Sequence, residues 1–288
     1  MTHLLAVTSI ALYIVATVLV LIQLWRPGRK GLKQRFAQSQ LIPWTFYLAF
    51  GLHTATIGFV FNDARYLLLD NGADYFLCVS WGLAGVFAFL QRRLNYPIVG
   101  AFVIPAIVLF MGSSSYLLHS SATSLLSAPA AQTNEGLLLS LLHGIPALVA
   151  VVSLALALVI SVVFLIVEYR LKQRGVGALN VAGPNLQFID LLNRQLVQVG
   201  FVAISLVVLS GGLWAVSAQR PIFSLDTSLI SGLATWILLA FVLHARLVLK
   251  WSPRQVSRLT VLITGSFFLF VFVVMIWSGR LTHASIWL

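Results

Sequence analysis

A single cysteine, Cys78, is the whole thiol inventory of this chain. That excludes a disulfide framework, a redox thiol pair and a cysteine-built zinc centre; any thiol chemistry would have to be a partner's. Acids are almost as scarce, with seven Asp and Glu among 288 residues, and charged side chains of either sign make up only 9%. Soluble domains carry roughly 25% charged residues, so a chain this poor in charge is solvated mostly by lipid. No Asp, Glu, Lys or Arg falls deep within an apolar run. Proton-coupled carriers normally keep such groups there, which weighs against a transporter of small molecules or ions. Pairs of broken helices are lacking too, beyond isolated glycines and Pro97, Pro105 and Pro146. A soluble domain of any size is missing, so binding or catalysis must use the helix bundle and its rims.

What the chain has instead is apolar length. Hydrophobic residues make up 60% of it, in runs long enough for a hydrocarbon core of about 30 Å. About eight spans are expected, at 4–25, 41–61, 75–90, 97–118, 138–167, 196–217, 228–249 and 259–277. The fold class is therefore all-α, a polytopic transmembrane helix bundle in which residues 1–288 form one domain. The third span is short enough to need its flanks. The fifth is long enough to tilt or to project from the bilayer. Between the fifth and sixth, Phe188, Ile189, Leu191 and Leu192 alternate with Asp190, Asn193 and Arg194, a pattern that suits a short interfacial helix.

The net charge of +11 invites a nucleic-acid reading, and its distribution refutes it. Basic residues gather in every second loop, at Arg26–Arg35, Arg92–Arg93, Arg170–Arg194 and Arg246–Arg258. The remaining loops hold Arg65, Arg220 and Arg280 against Asp63, Asp70, Asp74, Glu135 and Asp226. This is the positive-inside pattern, and it places both termini on the outer, periplasmic side of the cell's inner (plasma) membrane. The first span has no cleavage site and reads as a retained anchor. Basic inner loops also suit a scaffold for a soluble enzyme, although topology alone explains them.

Interior polarity is mostly histidine. His53 and His244 lie within spans, while His143 and His283 lie at the ends of two others. With Trp44 and Trp251 marking one interface, His53 and His244 stand roughly 13 and 10 Å from it, at about 1.5 Å per residue. The pattern offers one intramembrane pair and one pair at the outer rim. Imidazole is the commonest metal ligand and a usual axial ligand of haem iron. A haem or metal handler is thus the first candidate, beside the plainer reading of hydrogen-bonded helix contacts. His3 and His119 have no partner at helical spacing. Tyr13, Ser80, Ser161 and Thr235 are expected to satisfy their hydroxyls on the backbone. Gly51, Gly58, Gly82, Gly85, Gly211 and Gly212 are expected to let helices approach closely. Asp226, directly before the seventh span, suits a helix cap.

Residues 212–247 carry a resemblance. Trp214-Ala215, Asp226, Thr235-Trp236 and Leu243-His244-Ala245-Arg246 resemble the tryptophan-rich outer loop and following helix of CcsA-type cytochrome c assembly proteins. Those read W-A-x-x-x-W-x-x-x-W-x-W-D, then T-W and L-H-T-R, with matching spacing. Pro184 to Phe201 resembles the approach to that region in the HemX/YpjD branch, and Leu52-His53, Leu142-His143 and His283 fit as well. The resemblance covers nearly the whole chain and is most specific in its second half. It implies two stations for haem b, one on His53 and His244 and one on His143 and His283, with Trp214, Asp226 and Trp236 in the cofactor-binding surface.

The departures are Gln219, Phe223 and Leu225 at the later tryptophan positions, and Thr227-Ser228-Leu229 where Pro-Lys-Glu is usual. They imply an eroded surface for attaching haem to apocytochrome. The resemblance therefore favours a haem-binding assembly or regulatory factor of c-type cytochrome biogenesis or haem metabolism, without catalysis of its own. A membrane subunit of a haem–apocytochrome c synthase is the alternative. The implied partners are the bilayer, haem, and cytochrome c maturation or haem-synthesis proteins.

Overall fold

The structure, a computed structural model, describes residues 2–25, 32–63, 72–94, 97–121, 134–174, 185–217 and 227–278. Side chains are described for these residues except at 32–39, 63, 92–94, 118–121, 134–137, 174, 214–215, 217, 227–229 and 274–278. Within them run eight helices: α1 (Thr2–Trp25), α2 (Leu32–Asp63), α3 (Gly72–Leu94), α4 (Pro97–Ser121), α5 (Asn134–Arg174), α6 (Leu186–Ser217), α7 (Thr227–Leu247) and α8 (Pro253–Ser278). All eight are long and apolar enough to cross a membrane. Each expected span falls on one helix.

Several details differ from expectation. The third span gains its flanks as the 23-residue α3, and Asp74, read from sequence as a loop residue, sits buried in its first turn. A carboxylate there is stabilised by the positive end of the helix dipole. Helix α5, at 41 residues, is about 60 Å long at 1.5 Å per residue, roughly twice the hydrocarbon core. No separate interfacial helix precedes the sixth span, because residues 186–217 form one continuous α6. Asn185 caps it, its side-chain carbonyl accepting from Gln187 N–H at 2.9 Å and its backbone carbonyl from Ile189 N–H at 3.0 Å. The expected amphipathic face holds at Ile189, buried, and Arg194, exposed, but not at Phe188, Leu191 and Asn193. Asn193 is fully buried with Ile189 one turn earlier, while Phe188 and Leu191 are exposed. In lipid the outer face of a helix is the apolar one, so the polar residue turns inward.

The chain divides into two compact units, α1–α4 and α5–α8. In the first, α1 packs along α2 through Tyr13, Ala16 and Val20 against Phe46 and Ala49, all buried. Aromatic contacts continue from α2 to α3, with Phe46 edge-on to Phe87 at 5.1 Å and Phe50 stacked on Trp81 at 6.1 Å. Phe76 then stacks on Phe110 of α4 at 5.8 Å. In the second unit, α5 contacts α6 and α8, and α7 contacts α6 and α8, closing a ring of helices.

Of the expected glycines, Gly85 and Gly211 face a neighbouring helix, a Cβ there standing 3.7 Å from Phe50 Cζ and from His143 Cε1, but the tightest approaches lie elsewhere. A Cβ on Gly200 would stand 3.0 Å from Leu154 Cδ2, and one on Gly100 would stand 3.2 Å from Phe87 Cζ. Gly51, Gly58 and Gly212 meet nothing within 4 Å. The turn between α7 and α8 is tight. Lys250 adopts a left-handed φ of 54°, Trp251 N–H closes back on the Ala245 carbonyl at 3.0 Å, and Ser252 and Gln255 exchange capping bonds before Pro253 opens α8.

Candidate functional site

The interior histidines are held by hydroxyls on neighbouring helices. His53 lies in the middle of the apolar stretch of α2 and is 0% exposed. Its Nε2 is 3.4 Å from Ser80 Oγ of α3, and its Nδ1 is 3.5 Å from Tyr13 Oη of α1. The tyrosine ring also lies edge-on to the imidazole, centroids 6.0 Å apart. Ser80 already donates its one proton to the Leu77 carbonyl at 2.8 Å. Toward His53 it must therefore accept, which puts the ring proton on Nε2 and leaves the Nδ1 lone pair facing the tyrosine hydroxyl. Both contacts are long for hydrogen bonds. The ring is oriented from two sides and fully enclosed.

His143, in the second turn of α5's described side chains, is 5% exposed. Its Nδ1 is 3.0 Å from Ser210 Oγ of α6. Ser210 in turn donates to the Val207 carbonyl at 3.0 Å. With the Ser210 proton on that carbonyl, His143 donates at Nδ1 and its lone pair lies on Nε2. Gly211 lies alongside, a position where a Cβ would come 3.7 Å from the imidazole Cε1. A ring whose Nδ1–H is fixed by a second group, with Nε2 as the basic nitrogen, is the usual arrangement of a ligating histidine.

The other expected site residues fall differently. His244 is in the last turn of α7, on its exposed face. Its carbonyl takes the amides of Val248 and Leu249 at 2.9 and 3.2 Å, so its backbone is part of the helix stop. His53 and His244 belong to different units. Trp236 is half-buried and committed to α6, its indole N–H donating to Ser205 Oγ at 2.9 Å and its ring stacked on Phe201 at 5.9 Å. Asp226, His283 and the side chain of Trp214 lie outside the described residues. At the basic ends of the helices, Arg246 of α7 pairs with Asp190 of α6 at 2.5 Å.

Sequence reasoning missed Tyr13, Ser80 and Ser210 as histidine partners. Tyr13 was expected to bond the backbone and instead reaches His53; Ser80 bonds both backbone and His53. Thr235 does bond the Ser231 carbonyl, at 2.7 Å. Ser161, also expected to bond the backbone, has a buried hydroxyl with no partner among the described residues. No spacing in the sequence connects these groups, because each partner comes from another helix.

Among the described residues no three His, Cys, Asp or Glu side chains gather as a centre for a bare metal ion. The donors on offer are single imidazoles, the complement that iron already held by a porphyrin requires. His143 has its Nε2 turned away from Ser210, but that nitrogen is buried too, so it fits the role only if the surrounding side chains move. His53 fits it only if the Tyr13 hydroxyl yields the Nδ1 lone pair and the enclosing helices part.

Comparison with known proteins places the chain in a family. The model of the family described as "Cytochrome C assembly protein" matches residues 71–281. A "Cytochrome c biogenesis protein CcsA" from Cyanidium caldarium is 25% identical over 218 residues, 67% of this chain and 72% of the relative. The protein of the same description from Guillardia theta is 21% identical over 240 residues, covering 75% and 78% of the two chains. That from Trieres chinensis is 23% identical over 224 residues, or 68% and 70%. With the family match spanning most of its length and eight helices fit to cross a bilayer, this multi-pass membrane protein belongs to the cytochrome c assembly protein family.

Proposed function

We propose that this chain holds haem b in the inner (plasma) membrane, as an assembly or regulatory factor in c-type cytochrome biogenesis or haem metabolism. The observation that carries the reading is His143, buried, oriented by Ser210, and with its basic nitrogen at Nε2. His143 and His283 are the ligands of the outer station, and His53 and His244 are candidate intramembrane ligands, each within its own unit. The basic ends of the helices face the cytoplasm and both termini face outward. Trp214 and Asp226 flank the outer station, and Trp236 supports it by holding α7 to α6.

When bound, haem supplies an iron centre that accepts axial imidazole and can change oxidation state. The protein's part is to present neutral imidazoles in fixed orientations. Ser210 keeps the His143 proton at Nδ1, and the apolar walls of α5 and α6 exclude water from the ring. Tyr13 and Ser80 hold the His53 ring in one plane while it is enclosed. The partners of such a factor are haem and the proteins of cytochrome c maturation or haem synthesis.

Purification in mild detergent from haem-replete cells tests this. A reduced b-type spectrum that weakens in His143→Ala, and in His53→Ala or His244→Ala, is the expected result. A colourless wild-type protein overturns the proposal. The resemblance of residues 212–247 leaves a second reading, a subunit of a haem–apocytochrome c synthase. Gln219, Phe223 and Leu225 count against it, and unchanged c-type cytochrome levels after gene deletion would eliminate it.

A further inference from the structure

The basic ends of α5 and α8 enclose a cleft of about 250 Å³ lined by Leu165, Glu168, Tyr169, Lys172, Arg254 and Arg258. Glu168 holds Lys172 at 2.6 Å and Arg254 at 3.4 Å. One carboxylate thus pairs with two of the cleft's three cations, and Arg258 makes no ion pair among the described residues. Membrane topology requires only that positive charge lie in the loop. It does not require basic side chains from two helices to converge on one hollow, so topology leaves this arrangement unexplained.

Depth and surroundings narrow the ligand. The cleft lies at the basic ends of the apolar stretches Leu138–Gln173 and Pro253–Val273, and basic residues flanking a span belong at the headgroup level of a bilayer. Leu165 gives it an apolar wall on the membrane side. On α8, Leu262 and Leu269 share a face with Arg258 and are 66% and 67% exposed. An apolar stripe therefore leads from the charged hollow along the helix toward the bilayer centre. A free anion has no use for that stripe; an acyl chain does.

We propose that this cleft binds the phosphate headgroup of an anionic phospholipid, with its acyl chain laid along Leu262 and Leu269. Arg258 and Arg254 offer guanidinium forks that match phosphate oxygens, Lys172 adds a point charge, and Tyr169 borders the headgroup. Glu168 sets the affinity. It holds two of the cations in place and also repels the phosphate, so its charge limits how tightly the lipid is held.

The test uses the full chain in detergent, loaded with phosphatidylglycerol or phosphatidylcholine, with lipid retention counted by native mass spectrometry. Preferential retention of one phosphatidylglycerol is expected. Arg258→Gln should lower that retention about fivefold, the scale of one basic residue at an anionic surface. Glu168→Gln should raise it, and Arg170→Gln, exposed on α5 outside the cleft, should leave it unchanged. Equal retention of the two lipids, or full retention in Arg258→Gln, overturns the proposal. A parallel arm adds inorganic phosphate alone: displacement of the lipid at comparable concentration would show a free-phosphate site and overturn the lipid assignment. Weak or absent displacement supports it. Circular dichroism and thermal unfolding of each variant separate a folding defect from lost binding.

Discussion

Two buried histidines, one in each unit, are built into this protein by different means. His53 in α1–α4 touches a hydroxyl at both ring nitrogens, through long contacts to Tyr13 and Ser80. His143 in α5–α8 has one close hydroxyl, Ser210, at Nδ1. The first ring is braced on both sides, and its lone pair already faces a donor. The second is held at Nδ1 by Ser210, with the lone pair on the other nitrogen. Burial by itself does not make a ligand; the side on which the proton is pinned decides whether the ring is prepared for iron.

Breaking each contact in turn measures the difference. The largest effect should follow from His143→Ala, which is expected to remove the outer station's haem absorbance altogether; an unchanged spectrum would end the ligand reading of His143. His53→Ala comes next. It empties a fully enclosed site and should destabilise the haem-free protein by about 2–5 kcal/mol, read as a lower unfolding temperature in detergent. A variant as stable as the parent would show that the α1–α2–α3 packing does not depend on the ring.

Ser210→Ala should weaken haem retention about 10–100-fold by freeing the tautomer while leaving the imidazole in place. Titrating haem into the stripped protein measures this, and recovery in Ser210→Thr would confirm that the hydroxyl is responsible. Tyr13→Phe should be the mildest, near 0.6 kcal/mol, as expected for one interhelical hydrogen bond within a membrane. A larger loss would mean that Tyr13 holds His53 more firmly than a 3.5 Å contact suggests.

Much of the architecture is legible in the sequence. Each apolar run became a helix, because in lipid an isolated backbone must satisfy its own hydrogen bonds. The candidate site was legible only as residue types. His53 and His143 stood out as polar groups in apolar runs, but Ser210 is 67 residues from His143 and Tyr13 is 40 from His53. Interhelical hydrogen bonds of that kind leave no periodic mark. The amphipathic stretch before α6 misled for a related reason. Its polar residue, Asn193, turned inward because lipid, and not water, surrounds the helix it extends. Glycine misled as well: Gly200 meets Leu154 closely while Gly51 meets nothing, since close approach depends on which helix lies opposite.

What the amino-acid order determined on its own is local: where helices run, which loops carry positive charge, and which side chains have ligand chemistry. These follow from the transfer energy of each segment into hydrocarbon, and that energy is a property of the segment alone. Tertiary structure decided the rest. It chose which hydroxyl meets which imidazole nitrogen, and so where the lone pair lies. It also drew Lys172, Arg254 and Arg258 from two helices around one cleft. Both outcomes depend on side chains distant in sequence arriving within bonding distance, and only the packing of one helix on another can bring that about.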